Sequence, residues 1–175
     1  MSIQNKGTIF VLYQRLRMKG KPNSAPIEIE RKFLVIPEEW EQVKKSVPVK
    51  ITQAYIHTSE SVTVRVRISG EKAFLTLKGK TTGISRSEFE YPIPLVEAEE
   101  MIRKFCDKII QKNRFCFKID QHVWEVDVFE ERLEGLIIAE IELNDEGEHF
   151  SKPNWIGKEV SLDPNYFNAV LIKQC

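Results

Sequence analysis

Residues 28–35 read Glu28-Ile29-Glu30-Arg31-Lys32-Phe33-Leu34-Val35. In an extended strand successive side chains point to opposite faces, so Glu28, Glu30 and Lys32 share one face, opposite Ile29 and Phe33. Taken alone, this pattern fits an edge strand with a solvated face. Two carboxylates and a cation at this spacing also suit a site that holds a divalent metal and its anion.

The same alternation of charge recurs along the chain. Paired charges at strand spacing occur at Arg65 and Arg67, at Lys78 and Lys80, at Arg86, Glu88 and Glu90, at Lys112 and Arg114, at Glu125 and Asp127, and at Glu140 and Glu142. A solvated strand face usually mixes uncharged polar residues with its charges, whereas these faces carry almost only charged residues. We therefore expect the seven charged faces to converge on one site.

Composition limits the class of protein and its partners. The chain has 175 residues, 42% of them hydrophobic, which suits one globular domain. Its 26 basic and 26 acidic residues balance, so we expect neither a nucleic-acid partner nor a membrane partner. Cys106, Cys116 and Cys175 are an odd set without the spacing of a zinc site, which favours free thiols and a cytoplasmic location.

The first 26 residues differ from the rest of the chain. Lys19 to Pro26 contains Gly, Pro and Ser and is typical of a linker. The apolar run Ile9 to Tyr13 is too short and wrongly flanked for a secretory signal. We expect residues 1–26 to be a flexible or peripheral extension, and residues 27–175 to form the functional domain.

The hydrophobic pattern predicts a mostly β protein of the α+β class. Strands are predicted at 28–35, 51–57, 62–69, 73–80, 86–93, 109–119, 122–129 and 136–143, with helices near 37–43, at 96–106 and after Asp163-Pro164. Short links between the strands indicate antiparallel order. Eight such strands can close into an antiparallel β-barrel with covering helices. The apolar faces would then pack outward against helices that carry Trp40, Met101 and Leu171.

Charges would line the interior of this barrel, which makes it a tunnel. Buried cations need a compensating anion, because unpaired buried charge is very costly. Carboxylates in the same space can hold Mg²⁺ or Mn²⁺, hard cations that prefer oxygen ligands and commonly bridge phosphate oxygens. Together these features indicate a polyphosphate ligand and, if it reacts, phosphoryl transfer.

These residues resemble the CYTH superfamily of triphosphate tunnel metalloenzymes from Ile27 to about Leu171. The matching motifs are Glu28-x-Glu30-x-Lys32, Val64-Arg65-Val66-Arg67, Leu75-Thr76-Leu77-Lys78, Arg86-x-Glu88-Phe89-Glu90, Lys112-x-Arg114, Glu125-Val126-Asp127-Val128-Phe129, Glu140-Ile141-Glu142 and Trp155-Ile156-Gly157-Lys158-Glu159-Val160. The sequences of the first and last motifs most resemble those of small bacterial enzymes that hydrolyse inorganic tripolyphosphate. The resemblance implies a triphosphate substrate, divalent metals and an eight-stranded tunnel.

The resemblance also implies roles for individual residues. Metal ligands would be Glu28, Glu30, Glu90, Asp127, Glu140 and Glu142. Phosphate-binding residues would be Lys32, Arg65, Arg67, Lys78, Lys80, Arg86, Lys112 and Arg114. Catalytic roles would fall to Glu30, Lys32, Lys78 and Glu88, with the general base left unassigned.

Several alternatives stay open at this level. Other members of the superfamily are class IV adenylate cyclases and thiamine or nucleoside triphosphatases, and a module that binds polyphosphate without cleaving it would need similar cations. A pure anion binder would gain little from so many carboxylates, which favours an enzyme. The sequence leaves the oligomeric state open, although a homodimer is common among such barrels.

Overall fold

The structure is a computed structural model that describes residues 26–175. In this range the chain forms nine strands, namely β1 (Ile27–Val35), β2 (Val49–Thr58), β3 (Val62–Ser69), β4 (Lys72–Gly79), β5 (Ser85–Ile93), β6 (Ile110–Ile119), β7 (His122–Phe129), β8 (Ile137–Glu142) and β9 (Ile156–Glu159). The helices are α1 (Pro37–Glu41), α2 (Leu95–Phe105) and α3 (Asn168–Leu171), with 3₁₀ turns at Glu131–Leu133, Pro164–Tyr166 and Ile172–Gln174. The predicted extension lies outside the described residues except for Pro26.

The strands form one antiparallel sheet in the order β5-β4-β3-β2-β6-β7-β8-β1-β9, and it closes through β1. One edge of β1 pairs with β8, Glu30 lying opposite Glu142. Its other edge pairs first with β5, Glu28 lying opposite Arg86, and then with β9. The predicted closed eight-stranded antiparallel barrel is therefore confirmed. The ninth strand escaped prediction because four residues are too few for alternation to show.

Aromatic side chains cover the outside of the barrel. Trp124 is fully buried, with its ring centroid 5.5 Å from Phe33 and 5.9 Å from Trp155. Trp40 of α1 packs on Trp155 at 5.8 Å. On the opposite side, Met101 of α2 packs with a second apolar cluster on the outer face of β3 and β4. The prediction that apolar faces point outward against covering helices is confirmed for both α1 and α2.

The C-terminal segment does not follow that prediction. Leu171 packs with Ile110, Phe129 and Ile138. These three share the strand parity of the charged positions Lys112, Asp127 and Glu140, so they face the interior. Leu171 was expected outside the barrel and instead belongs to an apolar cluster inside it. The reason is that the inward faces of β6, β7 and β8 change from charged to apolar at this end.

The last predicted helix is also interrupted. Asp163 caps the turn at Pro164 by accepting a hydrogen bond from the Asn165 amide at 3.0 Å. Phe167 then adopts an extended backbone, with φ of −76° and ψ of 129°, before α3 begins.

Among residues 26–175, no helix is long and apolar enough to cross a membrane.

At Gly157, strand β9 packs closely against β1. A Cβ atom at this position would lie 3.0 Å from the Leu34 carbonyl oxygen and 3.3 Å from Ile36 Cγ1. We expect Gly157→Ala to lower the free energy of unfolding by about 1–3 kcal/mol, since the backbone must shift. Urea denaturation measures the change, with the exposed Lys158→Ala as control. Equal stability of the two variants would contradict the close approach.

The Arg31–Glu159 pair should give the β1–β9 contact a pH dependence. Arg31 Nε donates to Glu159 Oε1 at 2.8 Å, and this hydrogen bond lowers the pKa of the Glu159 carboxyl from its usual 4.5. A lowered folded-state pKa means that the stabilisation is present above pH 4.5 and is lost as the pH falls through the lowered value. We expect Glu159→Gln to cost about 1 kcal/mol at pH 7 and much less in acid, as measured by urea denaturation. An equal loss at both pH values would contradict the assignment.

Candidate functional site

A cavity of about 590 Å³ occupies the interior of the barrel. It is lined by thirteen of the residues predicted for the site or on the charged faces, namely Glu28, Glu30, Lys32, Arg65, Arg67, Lys78, Lys80, Arg86, Glu90, Arg114, Glu125, Glu140 and Glu142. Asp127 and Glu88 lie behind this lining and pair with Arg114 and Lys78, and Lys112 lies behind it and pairs with Asp127. The structure thus brings the charged faces together, although Lys80 is exposed and follows the last residue of β4.

Arg114 connects three carboxylates on two neighbouring strands. Its Nε donates to Asp127 Oδ1 at 2.6 Å, and its Nη2 donates to Asp127 Oδ2 at 2.6 Å and to Glu140 Oε2 at 3.0 Å. Its Nη1 donates to Glu125. Burial acts to lower the pKa of the guanidinium, but the charges of Asp127 and Glu125 outweigh it and raise the pKa. The same cation, together with Lys32, holds the pKa of the Glu140 carboxyl well below 4.5 despite its burial.

Lys112 is the most enclosed cation of the site. It is 1% exposed, its Nζ lies 2.5 Å from Asp127 Oδ2, and the Phe129 ring centroid is 5.2 Å away. The Nζ also donates to Asn168 Oδ1 of α3 at 3.4 Å. Burial lowers the pKa of the Lys112 ammonium, and nearby Arg114 adds to this effect, while Asp127 opposes it.

Lys32 and Lys78 each join two carboxylates. Lys32 Nζ lies 2.5 Å from Glu30 Oε2 and also contacts Glu140. Burial opposes its charge, yet Glu140 and Glu30 raise the pKa of this ammonium above its usual value. Lys78 Nζ lies 2.8 Å from Glu28 Oε1 and 3.2 Å from Glu88 Oε2. Both lysine side chains are thereby fixed in place.

Three arginines complete the cationic lining. Arg86 Nε donates to Glu28 Oε2 at 2.6 Å. On β3, Arg65 and Arg67 both donate to Glu90 Oε2, at 3.3 Å and 2.8 Å. The interior therefore positions its cations through matching carboxylates, as the low dielectric of a closed barrel requires.

Three carboxylates are arranged so that they could share a divalent cation. One oxygen each of Glu28, Glu30 and Glu142 lies within 4.8 Å of the others. This all-oxygen donor set fits a hard cation such as Mg²⁺ or Mn²⁺. The other predicted ligands, Glu90, Asp127 and Glu140, lie outside this group and accept hydrogen bonds from arginine or lysine. Their assignment as ligands stays a prediction.

Sequence analysis gave no role to three residues that the structure places at the site. Glu125 was noted only as part of a charged face, and it lies in the cavity wall opposite Glu140. Thr76 resembles any strand-forming threonine, and Asn168 lies on a helix expected outside the barrel. The register of the strands places Thr76 beside Arg65, and the position of α3 places Asn168 beside Lys112.

Comparisons with known proteins agree with this architecture. The CYTH domain matches residues 26–167. An inorganic triphosphatase of Acetivibrio thermocellus is 47% identical over 147 residues, or 83% of this chain and 93% of the relative. An inorganic triphosphatase of Nitrosomonas europaea is 34% identical over 148 residues, or 82% and 95% of the two chains.

Solved structures show the same fold. The crystal structure of an inorganic triphosphatase has a TM-score of 0.57 and 30% identity over 83% of this chain and 97% of that one. A conserved hypothetical protein from Pyrococcus furiosus has a TM-score of 0.53 and 20% identity over 69% and 80% of the two chains. At 20% identity, the second likeness supports the fold alone.

Arg114 should be indispensable for stability. We expect Arg114→Met to lower the free energy of unfolding by about 3–5 kcal/mol, because buried Asp127, Glu125 and Glu140 then lose a shared cation. Arg114→Lys keeps the positive charge but not the several N–H donors of the guanidinium, so it should lower the free energy of unfolding by less. Urea denaturation at pH 7 compares the two, and a methionine variant as stable as the wild type would contradict this role.

Proposed function

The chain belongs to the CYTH domain family, and on that basis we propose that it hydrolyses inorganic tripolyphosphate to pyrophosphate and phosphate inside its barrel. The observation that carries the proposal is 47% identity, over 83% of the chain, to an inorganic triphosphatase. The cavity lined by lysines, arginines and carboxylates supports the same chemistry. The protein is thus assigned as a hydrolase of phosphoanhydride bonds.

The cations of the barrel would hold the substrate. The cavity is lined by Arg65, Arg67, Lys78 and Arg86 on β3 to β5, and by Lys32 on the neighbouring strand β1. Each is already held by a carboxylate, so the positive charges are in place before the substrate arrives. Such preorganised charge stabilises a phosphoryl group as its charge shifts during transfer, and it requires little reorganisation at that moment.

Glu28, Glu30 and Glu142 would hold the divalent cation, for which we propose Mg²⁺ or Mn²⁺. When bound, such an ion supplies neutralising charge and Lewis acidity at the phosphate oxygens. Without it, the many carboxylates of the cavity would repel a highly charged anion. Hydrolysis is therefore expected to depend on divalent metal.

The remaining predicted catalytic residues would act by positioning charge. Lys32 and Lys78 would neutralise the phosphoryl oxygens, while Glu30 and Glu88 orient these two ammonium groups through their ion pairs. Water attack on the terminal phosphorus breaks its bond to the bridging oxygen, and pyrophosphate leaves. Phosphoryl transfer gains most of its catalysis from this kind of positioning.

Location and assembly stay predictions. The described part of the chain has free thiols at Cys106, Cys116 and Cys175, which fits the reducing cytoplasm that we infer. The oligomeric state stays open, and a homodimer is the assembly that the family resemblance suggests.

Release of phosphate tests the function directly. We expect the purified protein to release phosphate from tripolyphosphate much faster than from ATP or thiamine triphosphate, with Mg²⁺ or Mn²⁺ present and not with a chelator. Glu30→Gln should reduce the rate by about 10²-fold or more, because it removes a carboxylate beside Lys32. The exposed Glu38→Gln is the matched control.

Two other outcomes would contradict the proposal. Pyrophosphate and cyclic AMP formed from ATP would indicate a cyclase. Tight binding of tripolyphosphate without turnover, under every metal condition, would indicate a binding module.

A further inference from the structure

A buried threonine lies between the charges of β3 and β5. Thr76 on β4 is opposite Arg65 on β3 and opposite Glu90 on β5, so the three inward positions form one row across the sheet. Thr76 is 0% exposed. Its Oγ1 donates to Glu90 Oε2 at 2.9 Å and accepts from Arg65 Nη2 at 3.2 Å. The hydroxyl therefore links the carboxylate to the guanidinium.

Glu90 Oε2 receives three donors at once. Arg67 Nη2 donates to it at 2.8 Å and Arg65 Nη2 at 3.3 Å, in addition to the Thr76 hydroxyl. This oxygen contacts arginines on β3, and Glu90 lies outside the group of Glu28, Glu30 and Glu142. Such a set of contacts suits a residue that orients cations.

We propose that Thr76 and Glu90 form a positioning pair that fixes Arg65 and Arg67 in the orientation that receives the phosphate chain. This inference rests on the proposed function, because it names residues that prepare the same site. Neither residue need contact the reacting phosphorus. They act through the two arginines.

The physical need for such a pair is clear from the arginines themselves. Two guanidinium groups that converge on one point repel each other, and each side chain has many rotamers to lose when it is fixed. A carboxylate between them removes the repulsion, and ordering the side chains before the ligand binds reduces the cost of binding. Arg67 is further restrained by the Phe74 ring, 5.5 Å from its guanidinium carbon.

Threonine is well suited to hold the carboxylate. Its side chain is branched at Cβ, which restricts χ1, so the hydroxyl direction is fixed by the backbone of β4. The hydroxyl both donates and accepts, which lets it join Glu90 to Arg65 in one chain of hydrogen bonds. Valine has the same shape without the hydroxyl, and serine keeps the hydroxyl without the methyl group.

The test compares Thr76→Val, Thr76→Ser and wild type by steady-state hydrolysis and by calorimetric binding of tripolyphosphate. We expect Thr76→Val to weaken binding about tenfold and to raise KM by a similar factor, with a smaller change in kcat. Thr76→Ser should return both values to within about twofold of wild type. Thr52→Val, on the outer face of β2, is the control for loss of a strand threonine.

Glu90→Gln provides a second test that does not depend on the threonine. It should weaken tripolyphosphate binding about tenfold, while the Mg²⁺ concentration that half-saturates binding stays within about twofold of wild type. Glu28→Gln should shift that Mg²⁺ concentration strongly. A shift in Glu90→Gln like that in Glu28→Gln would make Glu90 a metal ligand and overturn the proposal.

The remaining outcomes are also decisive. A folded Thr76→Val protein that binds tripolyphosphate as wild type does, even with a lower melting temperature, would show that the hydroxyl only stabilises the fold and would overturn the proposal. Wild-type protein that binds without hydrolysis would overturn the proposed function alone, because the binding comparison still applies. Wild-type protein that does not bind tripolyphosphate would overturn both.

Discussion

Compensation of charge inside the closed barrel is the constraint on which this structure depends. Arg114 is buried and would be prohibitively costly alone, yet Asp127, Glu125 and Glu140 surround it. Lys32 and Lys78 are each held in the same way by two carboxylates. Most of these ion pairs join neighbouring strands. They can therefore form only in the observed register of the strands. A shift of one residue would turn each of these side chains to the outer face.

An interior of paired charges moves the hydrophobic core to the outside of the barrel. Burial of paired charges contributes little net stability. The stabilising burial of apolar side chains must therefore take place mainly on the outer face of the sheet. Trp124 and Phe33, on the outer faces of β7 and β1, meet that need by packing with Trp155, and Trp40 of α1 extends the cluster. This arrangement leaves the interior open as a cavity, which a conventional apolar core would have filled.

The same pairing prepares the site for a highly charged anion. Glu90 and Asp127 accept hydrogen bonds from arginines or lysine, and Glu28 and Glu30 pair with such cations as well. Glu28, Glu30 and Glu142 also lie close enough together to share a cation. The ion pairs fix the cations in position, and the group of three carboxylates is the site that we propose for the divalent metal.

The sequence by itself determined eight of the nine strands, the antiparallel barrel and most of the residues that face its cavity. Alternation with a period of two is a local signal, and Glu28, Arg65 and Glu140 each carry it within a few residues of chain. Tertiary structure decided which charges meet, because the partners Thr76 and Glu90, or Lys112 and Asn168, come from distant segments. It also placed Leu171 inside the barrel, where the inward faces of β6 to β8 become apolar at one end. A local pattern cannot show which side chains meet inside a closed sheet, because those contacts depend on how all the strands pair.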